Sequence, residues 1–122
     1  MNNTGTGATI IEQSEEPALF VSEMPEFAGG ESALMAYISS HYTYPAPARE
    51  AGVSGMIYIN FVIEKDGSIS QVGLADPNRK IGLGCDEEAI RVISNMPHWK
   101  PGKQNGIAKR VQFTVPIKLS LL

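Results

Sequence analysis

Cysteine occurs once in the chain, at Cys85, so no internal disulfide can form and the redox compartment is left open. Histidine occurs only at positions 41 and 98, and neither has an acidic residue near it in sequence. One thiol and two such imidazoles supply neither metal-ligand spacing nor a nucleophile, base and acid set, so no catalytic, cofactor-binding or metal-binding residues are assigned. Long apolar runs are also lacking. No stretch approaches the roughly 18 residues of a bilayer span, and residues 1–9, MNNTGTGAT, lack the cationic start and apolar centre of an export signal. The expectation is a soluble chain whose membrane anchor, if it has one, lies elsewhere.

Acidic residues stop at Glu88. Residues 1–88 hold all 13 acids against four bases, a balance of −9, whereas residues 89–122 hold six bases and no acid, +6. The net charge of −3 and a pI near 5.3 exclude general nucleic-acid binding, which needs a basic field to release counterions from phosphate. Two readings of the asymmetry stand side by side. The halves attract each other within one fold, or Lys100, Lys103, Lys109 and Arg110 form a basic surface for anionic lipid or cell wall.

At 122 residues and 43% hydrophobic, the chain supports one domain with a modest core. Residues 1–17 are polar and aperiodic and read as a disordered tail or linker remnant, with the domain spanning 18–122. Residues 18–21, ALFV, are long enough for a short extra strand and too short to tell from a helical turn. Leu34, Tyr37, Ile38 and His41 recur at helical spacing, bounded by Gly29–Gly30 and Pro45. In GMIYINFVIEKDGSISQVGLA, Ile57, Ile59, Phe61 and Ile63 alternate at period two, and Lys65-Asp66-Gly67 provides a tight turn. The return strand changes phase between Ile69 and Val72, which predicts a bulge around Ser70 and Gln71. Asp86, Glu87 and Glu88 crowd the start of a second helix that carries Ala89, Ile90, Ile93 and Met96 and ends at Pro97, with Cys85 at its cap. MPHWKPGKQNG, residues 96–106, is a corner by its prolines and glycines, and its Trp99 is expected to plug the core.

The last segment alternates without a slip: Val111, Phe113, Val115, Ile117 and Leu119 on one face, Arg110, Gln112, Thr114 and Lys118 on the other. A strand, helix, strand crossover lays its two strands parallel, so this strand enters beside the first hairpin strand and antiparallel to it. The predicted fold class is α+β, two helices on one face of a three-stranded antiparallel sheet, with the last strand at an edge. Pro116 lacks an N–H and is tolerated in a strand only where its parity faces an open edge. Even-numbered residues therefore face outward, and Arg110, Gln112 and Thr114 are expected to offer backbone groups to a partner. An edge flanked by Lys109, Arg110 and Lys118 suits both protection against aggregation and strand addition.

YPAPAREAGVSG, GMIYINFVIEKDGSI, GLGCDEEAIRVISNMPHWKPGKQNG and VQFTVPIKL occur in the order seen in C-terminal domains of the TonB family, which the chain resembles over residues 17–122. The resemblance implies a non-enzymatic periplasmic adaptor on an inner-membrane anchor, driven by an ExbB/ExbD complex and free of cofactors. It would bind the TonB box of outer-membrane transporters as a strand added to the last strand. By position this assigns partner contacts to Arg110, Val111, Gln112, Phe113 and Thr114, and to Tyr44, Pro45 and Arg49. Pro116 departs from the family pattern and is expected to shorten the pairing. Similar domains also end membrane sensors and metallopeptidase-like receptors, so self-pairing through the same edge as a homodimer is the alternative.

Overall fold

The computed structural model describes residues 16–121. The assignment of residues 1–15 to a tail lies outside them.

Helix α1, Gly30–His41, buries Leu34 and Ile38 and half-buries Tyr37, three positions of the stripe read from the sequence. His41 ends it as expected, its Nδ1 2.8 Å from the Tyr37 carbonyl oxygen. A five-residue helix α2, Ala46–Glu50, follows Pro45 and buries Ala48. It was missed because so short a helix leaves no periodicity to detect, although Pro45 and Pro47 suit a first turn.

Strands β1, Gly55–Ile63, and β2, Ile69–Leu74, form the hairpin. The bulge falls where expected: Asn60 pairs with Gly73 and Val62 with Ser70, so Gln71 and Val72 oppose Phe61 alone. Gln71 has φ +50° there. Helix α3, Cys85–Ser94, buries Ala89, Val92 and Ile93. Gly84 holds the N-cap position expected of Cys85, which is instead the first helical residue and fully buried at 0% exposure. Among the described residues no side chain caps this helix; Asp86, itself 1% exposed, instead ties down the preceding loop, its carboxylate accepting the backbone N–H of Ile81 at 3.1 Å and of Gly82 at 2.7 Å.

Strand β5, Val111–Leu119, pairs with β1 along its whole length, Gly55 opposite Leu119 through Ile63 opposite Val111. The sheet order is β2-β1-β5, all antiparallel, as the crossover argument required. Between α3 and β5 the corner is more regular than the sequence showed. Strands β3, Gly102–Gln104, and β4, Ile107–Lys109, make a small second hairpin turned at Asn105 and Gly106, both at positive φ. That pair suits a two-residue turn.

Residues 57, 59, 61 and 63 of β1 and 115, 117 and 119 of β5 point into one core beneath α1 and α3, while Val111 is buried apart from it, close to Gly102. Each such side chain contributes roughly 1.5–3 kcal/mol by leaving water. Trp99, 4% exposed, stands at the centre of an aromatic group with ring centroids 5.6 Å from Phe27, 5.6 Å from Phe61 and 5.2 Å from Phe113. The plug expected of MPHWKPG is in place, with His98 and Lys100 exposed on either side.

Residues 18–21 do not form a strand. Ala18 makes one parallel bridge to Val111, and antiparallel bridges join Glu23 to Lys103 and Glu26 to Lys100. The segment is a strap fastened at intervals. Gly102 lets it lie close, since a Cβ there would stand 2.8 Å from Val111 Cγ2 and 3.1 Å from both Pro25 and Val21.

Candidate docking edge

The outer edge of β5 carries the alternation read from Pro116. Gln112 donates its N–H outward to the Ala18 carbonyl oxygen at 2.8 Å, and the Arg110 carbonyl accepts from Ala18 N–H at 2.9 Å. Even-numbered residues therefore face away from β1, and Pro116, opposite Tyr58, costs the β1 ladder no hydrogen bond. By the same parity the N–H groups of Thr114 and Lys118 point outward.

The sequence left Arg110 and Gln112 open on this edge, and the structure corrects that: Ala18 pairs them. Nothing local could show it, because the partner lies more than 90 residues away in a segment too short to carry periodicity. The Arg110 side chain is committed too, its Nε 2.8 Å from Glu64 Oε1 across the sheet. Hydrogen bonding from that guanidinium holds the Glu64 carboxyl below its ordinary range. This pair joins the basic C-terminal third to the acidic remainder, whereas Arg91 on Glu88 is a local contact within α3.

Two apolar clefts follow the open part of the edge on its helix side. The first, about 400 Å³, lies between α1 and β5 over Leu34, Trp99, Phe113 and Val115. The second, about 330 Å³, continues past Tyr42 and Tyr44 to Lys118. Met35 and Pro116 line both and divide them. Met35 escaped the sequence reading, since it sits beside the helical stripe rather than on it. Its signal was an exposed methionine on a helix bordering an edge strand.

The expected contact residues are partly brought together. Tyr44 lines the second cleft with Ile117 and Lys118, at the opposite end of β5 from Arg110 and Val111. Its hydroxyl donates to the Val53 carbonyl, which holds the ring in place. Arg49 is exposed on α2, and Pro45 packs close to Gly84. Val111 is fully buried and by the same parity turns its backbone groups toward Ile63 of β1, so it offers nothing to an outside strand, whereas Phe113 forms part of the first cleft's floor and Thr114 is exposed. Among the described residues no group of three metal-ligating side chains occurs.

The family described as Gram-negative bacterial TonB protein C-terminal matches residues 40–121, about two thirds of the chain. The chain belongs to the TonB C-terminal family. In fold, this TonB-family domain is similar to the C-terminal domain of Helicobacter pylori TonB, solved in solution by NMR. A longer fragment of that protein is 26% identical, with a TM-score of 0.52 over 73% of this chain and 78% of that one. A shorter fragment is 24% identical with a TM-score of 0.49, covering 74% and 91%. No curated protein sequence matches the chain.

Membership makes this a non-enzymatic interaction domain of the TonB type and implies outer-membrane transporters as its class of partner. It implies the periplasmic part of an inner-membrane-anchored protein engaged in energy transduction and transport. Among the described residues no helix is long and apolar enough to cross a membrane.

Proposed function

We propose that this TonB C-terminal domain binds the TonB box of an outer-membrane transporter by adding it as a strand to the outer edge of β5. In this reading the parent protein, anchored in the inner membrane and driven by an ExbB/ExbD-type complex, passes energy to nutrient uptake through that strand. The observation that carries the reading is the outward backbone of Thr114 and Lys118 on an edge strand that already accepts one extended segment, Ala18. Paired backbone grips a peptide along its length and transmits a pull without a deep pocket, while alternate side chains find the clefts. Tyr44 lines the second cleft, and Pro45 at the N-cap of α2 and Arg49 on α2 follow it in the chain as the remaining proposed contacts.

The test is a titration of the chain with a synthetic peptide carrying a transporter TonB box, followed by backbone amide shifts. Shifts should cluster on Phe113–Leu119 and around Tyr44. Absence of any change there at millimolar peptide sinks the reading. Pairing of the same edge with a second copy is the competing use, and it is supported by the same open groups. It would appear in sedimentation as a dimer that peptide dissociates.

A further inference from the structure

The strap on β5 has no role in the reading above, yet it occupies the same edge. Six backbone hydrogen bonds of 2.8–3.0 Å hold it: two at Ala18, two between Glu23 and Lys103, and two between Glu26 and Lys100. Their distribution is uneven. The Glu23–Phe27 end is seated by buried Pro25 and Phe27 and by Ser22, whose Oγ donates to the Lys103 carbonyl. Among the described residues the Ala18 end is held by a single bridge, and the next residues, Leu19 and Phe20, are 60% and 84% exposed. Little apolar area leaves water there, so the bridge rests on two backbone bonds, each of small net worth. A firmly seated strap with a weakly held end is suited to yield at that end first.

We propose that residues 16–20 are a built-in occupant of the docking edge, an inference that rests on the strand-addition reading. With Ala18 in place a partner strand is admitted only beyond Gln112 and pairs with Thr114–Lys118, where Pro116 withholds one donor. Release of Ala18 frees the Arg110 carbonyl and the Gln112 N–H and lengthens the pairing by those two groups. The bridge is parallel to β5. A partner running the same way would replace Ala18 group for group, so the strap competes with long partner segments and leaves short ones unaffected.

The experiment compares the full chain with Ala18→Pro, which removes the donor to Arg110. Two TonB-box peptides serve as probes, one long enough to span residues 110–118 and one matching 114–118 only. In the free chain, hydrogen exchange at the Gln112 amide should be slower than at Thr114 and Lys118. The variant should bind the long peptide about fivefold more tightly, the worth of about one backbone hydrogen bond. Its shifts should extend to Arg110–Gln112, while the short peptide binds both chains alike. Equal affinities and equal footprints for the long peptide overturn the inference, and so does Gln112 exchanging as fast as Thr114 in the free chain, a readout that needs no variant. Failure of both peptides on both chains instead overturns strand addition itself and takes this inference with it.

Discussion

Trp99 and Gly67 are joined backbone to backbone: the Trp99 N–H donates to the Gly67 carbonyl oxygen at 2.8 Å. The Trp99 carbonyl oxygen comes so close to the turn that a Cβ on residue 67 would stand 2.1 Å from it. The β1–β2 turn and the corner before β5 thus lock each other, and the indole is delivered into the core between them. Gly67 is demanded twice, by φ +90° and by this approach.

Gly67→Ala should therefore cost about 3 kcal/mol or more, well above the usual price of a left-handed alanine, because backbone must shift. Urea unfolding followed by tryptophan fluorescence measures it, and a midpoint unchanged from the parent chain would contradict the contact.

Trp99→Ala should destabilise by about 3–5 kcal/mol by emptying the centre of the aromatic group. Trp99→Phe should cost much less. The buried indole N–H has no hydrogen-bond partner among the described residues, so its removal strands no other group. Thermal melts of the two variants give the comparison.

Stability should fall with acid through Glu64. Its carboxyl is held below the ordinary value of 4.5, chiefly by the hydrogen bond from Arg110. A depressed folded pKa means that the contribution is fully present above the unfolded value and is lost as pH falls through the folded one. Arg110→Gln should flatten the stability profile below about pH 4.5 and leave its shape near neutrality unchanged, as read from urea midpoints across pH.

Cys85 should resist alkylation at neutral pH. Its side chain is fully buried, and burial pushes the thiol above its ordinary range. Iodoacetamide labelling should be far slower than for an unfolded peptide thiol and should accelerate only as denaturant opens the core. Prompt labelling would contradict the packing of α3.

Asp86→Ala should cost about 1–3 kcal/mol, since it leaves the Ile81 and Gly82 N–H groups without their acceptor at the entrance to α3. Asp86→Asn keeps one acceptor oxygen and should retain part of that. Hydrogen exchange at Ile81 and Gly82 reports it residue by residue.

What the sequence by itself determined were the features whose cause is local. Period-two alternation set β1 and β5, Lys65-Asp66-Gly67 set the turn, and the phase change after Ile69 placed the bulge. One missing N–H, at Pro116, was enough to orient the β5 edge, because parity along a strand propagates without tertiary information. The crossover rule then ordered the sheet, and the TonB-family motifs pointed to the family.

Only the tertiary structure decided which parts of that edge are occupied. The Ala18 bridge, the fastening of the strap at Glu23 and Glu26, and the clefts divided by Met35 join residues far apart in the chain. A backbone hydrogen bond between distant segments leaves no trace in side-chain periodicity, and a cleft exists only once two surfaces are brought face to face. Cys85 shows the same division: its place at the start of a helix was legible, but its full burial depended on what packed over it.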